Sequence, residues 1–147
     1  MRRQTDISEL YEALKEKADT YVLCFDIIGL MAVNDISRAA GDLAIGECFR
    51  RIDEAAADDM LVFRIGGDEF AMVTGYGDEK DVERVARDVL SQNGKPIAFG
   101  GGEIPVSMRA GAVKIGPGNL RYAQLYDALN KSVNREMTDG CVHFVKV

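Results

Sequence analysis

The stretch Arg64 to Phe70, reading Arg-Ile-Gly-Gly-Asp-Glu-Phe, constrains the fold more than any other in the chain. Its flanks, Met60 to Ile65 and Phe70 to Val73, are short apolar runs of the length and make-up of buried strands. Gly66 and Gly67 between them admit the positive φ that a tight two-residue turn demands, so the stretch predicts an antiparallel hairpin. Such a turn holds Asp68 and Glu69 at the mouth of a sheet, where adjacent carboxylates are costly unless a cation compensates them. Upstream, the apolar run Tyr21 to Phe25 is closed by Asp26. If that strand lies beside the hairpin, Asp26 faces Asp68 and Glu69. A hard cation such as Mg²⁺ suits the cluster, since it accepts carboxylate and carbonyl oxygens and shares its remaining positions with water and phosphates. A bare acidic rim with no ion fits these residues equally well.

The 147 residues are enough for one domain with one sizeable core. A formal net charge of −6 argues against broad binding to nucleic acid, whose phosphates call for Lys/Arg clusters. No apolar run has the length of a membrane span and no signal-peptide pattern opens the chain, so no membrane partner is expected. Cys24, Cys48 and Cys141 are widely spaced in apolar surroundings and read as reduced core residues rather than disulfides or metal ligands, which suits a cytoplasmic location. His143 is the only histidine, in a terminal apolar run where a strand would expose it. Histidine-dependent nucleophilic catalysis and multi-histidine zinc sites are thereby excluded. Any chemistry must run on carboxylates and a metal.

Ile7, Leu10, Tyr11 and Leu14 share a helical face, with Asp6 and Glu9 spaced as a capping box. Asp42 precedes Ile45, Cys48, Phe49, Ile52 and Ala56 at helical spacing and is itself a candidate N-cap. Val82, Val85, Ala86, Val89 and Leu90 predict an amphipathic helix closed by Asn93-Gly94. Pro96 to Phe99 and Val106 to Ile115 read as two strands joined by a turn at Gly100 to Gly102. A last helix carries Tyr122, Leu125, Leu129 and Val133, and Asp139-Gly140 turns into a terminal strand, Cys141 to Val147. The pattern predicts an α+β sandwich: a palm-like, mixed or antiparallel sheet with helices packed around it. Residues 1–19 form a helix leading into a domain over 20–147.

Together these residues resemble a known family. Arg64 to Phe70 is the signature of the GGDEF domain, the diguanylate cyclase domain, and Phe25-Asp26-Ile27, Asn34-Asp35 and Gly41-Asp42 follow the family's upstream series in order. The resemblance implies the nucleotidyl-cyclase-like GGDEF fold and condensation of two GTP into cyclic di-GMP. Two domains would face each other as a homodimer, each 3′-hydroxyl attacking the other nucleotide's α-phosphate, with Mg²⁺ or Mn²⁺ as cofactor. It further implies that Asp26, the Ile27 carbonyl and Asp68 bind metal, and that Asp68 and Glu69 carry the catalytic acids of the signature. Asn34 and Asp42 would read guanine, while Gly66 and Gly67 let the backbone approach the nucleotide.

Some positions depart from the family. Leu30-Met31 stands where members usually carry Phe-Lys, and Ile28 replaces a second acid. The interval from Asn34 to Asp42 is one residue short. Val133 and Met137 align with two phosphate-binding cations; a shifted frame would bring Lys131 or Arg135 there instead, and Arg38 is a further replacement cation. The inhibitory Arg-x-x-Asp of feedback-regulated members is replaced by Ala57 to Met60. Each lost charge-assisted contact is worth on the order of 1.5–3 kcal/mol. Met31 and Ile28 alternatively extend the apolar core.

Three readings follow: a diguanylate cyclase, weakened by the missing cations; a catalytically degenerate guanine-nucleotide-binding regulatory domain; or an interaction module without nucleotide. The helix from Asp6 to Ala18 is too short to be a sensor, so pairing is expected from the chain itself, from a sensor or partner protein, or from sequence outside this chain.

Overall fold

The computed structural model describes residues 7–14, 18–116, 122–133 and 141–146. The element order is α1 (Ile7–Leu14), β1 (Tyr21–Ile27), α2 (Leu30–Ile36), α3 (Arg38–Ala55), β2 (Leu61–Arg64), β3 (Glu69–Val73), α4 (Glu79–Leu90), β4 (Pro96–Phe99), β5 (Gly102–Pro105), β6 (Met108–Lys114), α5 (Tyr122–Ser132) and β7 (Val142–Lys146). Five strands form one sheet in the order β2-β3-β1-β6-β7. Neighbouring pairs are antiparallel except β6 and β7, which run parallel. The mixed, palm-like sheet of an α+β domain is therefore observed.

β1 is buried along its whole length because helices cover both faces of the sheet. Tyr21, Leu23, Phe25 and Ile27 belong to one cluster with Ala40, Ala44, Cys48 and Ile52 of α3 and Val82, Ala86 and Val89 of α4. The alternate residues Val22 and Cys24 join Leu10 and Leu14 of α1, Leu129 of α5 and Val133 just beyond it in a second cluster. Leu10 and Leu14 of the α1 stripe thus pack on their own domain. Gly111 of β6 admits α5 closely: a Cβ there would overlap the Ser132 backbone carbonyl.

Four expectations are corrected. Gly66 and Gly67 do not adopt positive φ. The loop has three residues rather than two, closed by Ile65 N–H donating to Glu69 O at 3.0 Å. The left-handed pair sits instead at Gly100 (φ 60°) and Gly101 (φ 80°). These join β4 to a strand missed in the sequence, β5, as a separate two-stranded sheet, and β6 enters the main sheet. Asp42 is not an N-cap: Ser37 caps α3, its hydroxyl accepting from Ala39 N–H at 3.1 Å, because the α2–α3 connection shrinks to that single residue. Met31 does not extend the core, since it is 81% exposed. The proposed capping residue Asp6, the Asp139-Gly140 turn, Arg135 and Met137 lie outside the described residues, as does the His143 side chain.

Arg51 is the largest fully buried side chain. Its guanidinium donates to Glu47 Oε2 at 2.7 Å, Val106 O at 2.7 Å and Lys95 O at 2.8 Å. It ties α3 to the segments that lead into β4 and β6. Its spacing from Cys48 and Ile52, on the apolar stripe of α3, was the available signal.

Burial pushes the Cys48 thiol up to about 12 and raises the Cys24 thiol, the latter further through the charges of Glu69 and Asp26. Both therefore stay protonated, and only thiolates react readily. Cys141, expected in the core, is instead exposed, so native protein treated with Ellman's reagent at pH 8 is expected to release rapidly one equivalent, from Cys141, and three after denaturation. Rapid release of two or more from native protein would contradict this packing.

Candidate functional site

The pairing of β1 with β3 builds the centre of the site. Asp26 stands opposite Glu69 in their register, and Ile27 N–H donates to Asp68 O at 2.9 Å, extending the contact into the hairpin loop. Asp26 (1% exposed) and Glu69 (8%) are buried, and Asp68 is half-buried. Alternation along each strand puts Asp26 on the face of Val22 and Cys24, and Glu69 on the face of Ala71 and Val73. The three acids of the sequence reading are thus brought together: their carboxylate oxygens lie within 4.8 Å of one another.

That spacing lets one hard cation reach all three carboxylates at metal–oxygen distances of about 2.0–2.6 Å. The donor set, all oxygen, suits Mg²⁺, Mn²⁺ or Ca²⁺ better than a soft metal. Ile27, whose carbonyl was expected to assist, is buried beside the cluster. Arg64 braces the hairpin loop, its guanidinium donating to Gly66 O at 3.2 Å and Gly67 O at 2.9 Å. Above Gly67 the space is open, with no atom within 4 Å of where a Cβ would lie.

A cation that sequence reasoning missed also reaches the cluster. Arg109 opposes Asp26 in the β1–β6 register, and its Nε lies 3.0 Å from Asp26 Oδ2. Both side chains are largely buried, at 11% and 2% exposure. The signal was an arginine interrupting the otherwise apolar run from Met108 to Val113. The start of β6 is held in place by Asn93, whose carboxamide accepts from Met108 N–H at 2.9 Å and donates to Met108 O at 2.8 Å.

Asn34 of α2 and Asp42 of α3 are both exposed, on either side of the helix junction. The Asn34 carboxamide lies directly over Gly41, where a Cβ would overlap its oxygen. Asn34 thus reaches the residue preceding Asp42 across the shortened connection. The expected replacement cations fare differently. Val133 is a buried core residue, and Lys131 is exposed, pairing with Asp127 on the outside of α5 at 2.9 Å. Arg38 is exposed at the start of α3, one turn before Asp42.

With this geometry in hand, comparison with known proteins places the chain. The family described as "Diguanylate cyclase, GGDEF domain" matches residues 3–140. The chain belongs to the GGDEF domain family. It is 26% identical over 121 residues to the bifunctional diguanylate cyclase/cyclic di-GMP phosphodiesterase MucR of Pseudomonas aeruginosa, covering 81% of this chain and 18% of that protein's length. Its fold is similar to the GGDEF domain of YfiN (TpbB) from Pseudomonas aeruginosa, with TM-score 0.83, 20% identity and coverage of 100% of this chain and 99% of the other. It is also similar to the coiled coil and GGDEF domain of DgcB from Caulobacter crescentus in complex with c-di-GMP, with TM-score 0.81, 15% identity and coverage of 97% and 82%. Among the described residues no helix is long and apolar enough to cross a membrane.

The packing of Asn34 on Gly41 generates a test. Gly41→Ala forces the Asn34 side chain away while leaving both helices intact, since the overlapping atom is the end of a side chain. The variant is expected to keep its melting temperature within a few degrees and to bind GTP about tenfold more weakly by calorimetry, the scale of one hydrogen bond to a polar ligand. Unchanged affinity would remove Asn34 from the nucleotide site.

Proposed function

We propose that the chain is a diguanylate cyclase domain that condenses two GTP into cyclic di-GMP as a homodimer. The observation that carries this reading is the convergence of Asp26, Asp68 and Glu69 at the end of β1 and the β2–β3 hairpin. Asp26, the Ile27 carbonyl and Asp68 would hold Mg²⁺ or Mn²⁺, which when bound supplies positive charge against the phosphates. Asn34 and Asp42 read the base. The carboxylate of Asp42 accepts from guanine N1–H and N2–H₂, and the Asn34 carboxamide offers a complementary donor. Gly66 and Gly67 leave room for the phosphates against the hairpin backbone.

Each domain binds one GTP, and the 3′-hydroxyl of one nucleotide attacks the α-phosphorus of the other. A P–O bond forms there while the bond to the β-phosphate breaks and pyrophosphate leaves. The hydroxyl proton passes to a carboxylate of the Asp68–Glu69 pair, Asp68 being the half-buried, more accessible of the two. Residues 20–147 constitute this domain, with the preceding segment leading into it; a sensor or partner protein would bring two domains together, in the cytoplasm.

A second reading is favoured by specific observations. Met31 is exposed and aliphatic, and Val133 is buried, at positions where the resemblance calls for phosphate-binding cations. These losses support a regulatory domain that binds guanine nucleotide without turnover. An overnight incubation of concentrated protein with GTP and Mg²⁺ or Mn²⁺, resolved by chromatography, separates the two. Cyclic di-GMP from the parent and none from Asp68→Ala is the expected result. No product from either would transfer the assignment to the regulatory nucleotide-binding domain.

A further inference from the structure

Arg109 brings a fixed positive charge into a site otherwise built of carboxylates. Its Nε is 3.0 Å from Asp26 Oδ2, and the pair is mostly shielded from water, where charges act more strongly on one another than at a surface. The guanidinium cannot lose its charge under ordinary conditions. Its position is structurally determined: Arg109 opposes Asp26 in the strand register, and two residues along, Gly111 packs against the backbone of α5. A divalent ion seated between Asp26, Asp68 and Glu69 would therefore approach a residue that already holds a counter-charge.

We propose that Arg109 is a tethered cation that competes with the divalent ion for Asp26 and so lowers the metal affinity of the centre. This rests on the metal-binding reading of the acidic centre and adds a residue that tunes it. Arg109 acts on the metal through Asp26 and is a positioning residue. In the nucleotide-free protein Arg109 engages Asp26 and so weakens its hold on the ion. Any change that removes the arginine's charge releases Asp26 to the metal.

The test is a Mn²⁺ titration of the nucleotide-free protein, read as loss of the free-ion signal in electron paramagnetic resonance. Parent, Arg109→Gln, Arg109→Lys and the double variant Arg109→Gln/Asp26→Asn are compared, with folding checked by circular dichroism. Arg109→Gln is expected to bind Mn²⁺ about tenfold or more tightly than the parent, the scale on which one close charge shifts a carboxylate's affinity for a cation. Arg109→Lys, which keeps the charge, stays near the parent value, and the double variant loses the gain. If Arg109→Gln does not fold, Arg109→Met takes its place with the same expectation. Equal affinity in parent and charge-removed variant overturns the role of Arg109 while leaving the metal centre standing. Absence of Mn²⁺ binding in every form overturns the metal centre and this inference together.

Discussion

The register between β1 and β3 is the constraint on which the site depends. Asp26 sits opposite Glu69, and the next residue, Ile27, fastens its N–H to Asp68 O. A slip of one residue would turn Asp26 to the opposite face, into the cluster of Phe25 and Ile27, and send an apolar side chain to the carboxylates. The apolar faces of the sheet resist that slip, because each β1 residue has a buried place on one side or the other. Core packing and acid placement are thus one structural decision. Burying Asp26 and Glu69 carries a desolvation cost that only compensating charge relieves, and Arg109 provides part of it within the fold.

The rest of the molecule supports that geometry. Arg64 clasps the loop carbonyls of Gly66 and Gly67 and so shapes the hairpin tip that presents Asp68. Asn93 pins Met108, the residue before Arg109, and buried Arg51 holds Val106 O, so the entry to β6 is fixed from two directions. On the far side of the connection after β1, α2 and α3 meet where Asn34 lies over Gly41, the residue before Asp42. A shorter interhelical link is accommodated because Ser37 ends one helix and caps the next.

Much of this was legible in the sequence. Period-two alternation in the strands and the apolar stripes on the helices are local signals, and the order Asp26, Asn34, Asp42, Asp68, Glu69 follows from a motif that covers nearly the whole chain. What could not be read depended on partners distant in sequence. Whether Gly66-Gly67 or Gly100-Gly101 forms the left-handed turn is decided by strand register and by Arg64, not by glycine content. Asp42 and Ser37 have comparable capping chemistry, and only the packing of α2 against α3 chooses between them. The pairing of Arg109 with Asp26 crosses from β6 to β1, beyond the reach of any local pattern.

The proposed function requires Asp26, Asp68, Glu69, Asn34 and Asp42 to form a metal-assisted guanine-nucleotide site. Isothermal titration calorimetry of the protein with GTP and Mg²⁺, set against ATP and Mg²⁺ at millimolar concentration, tests it most directly. Binding heat with GTP and little with ATP is the predicted result. No heat with either nucleotide would contradict the account and leave an interaction module that kept the fold.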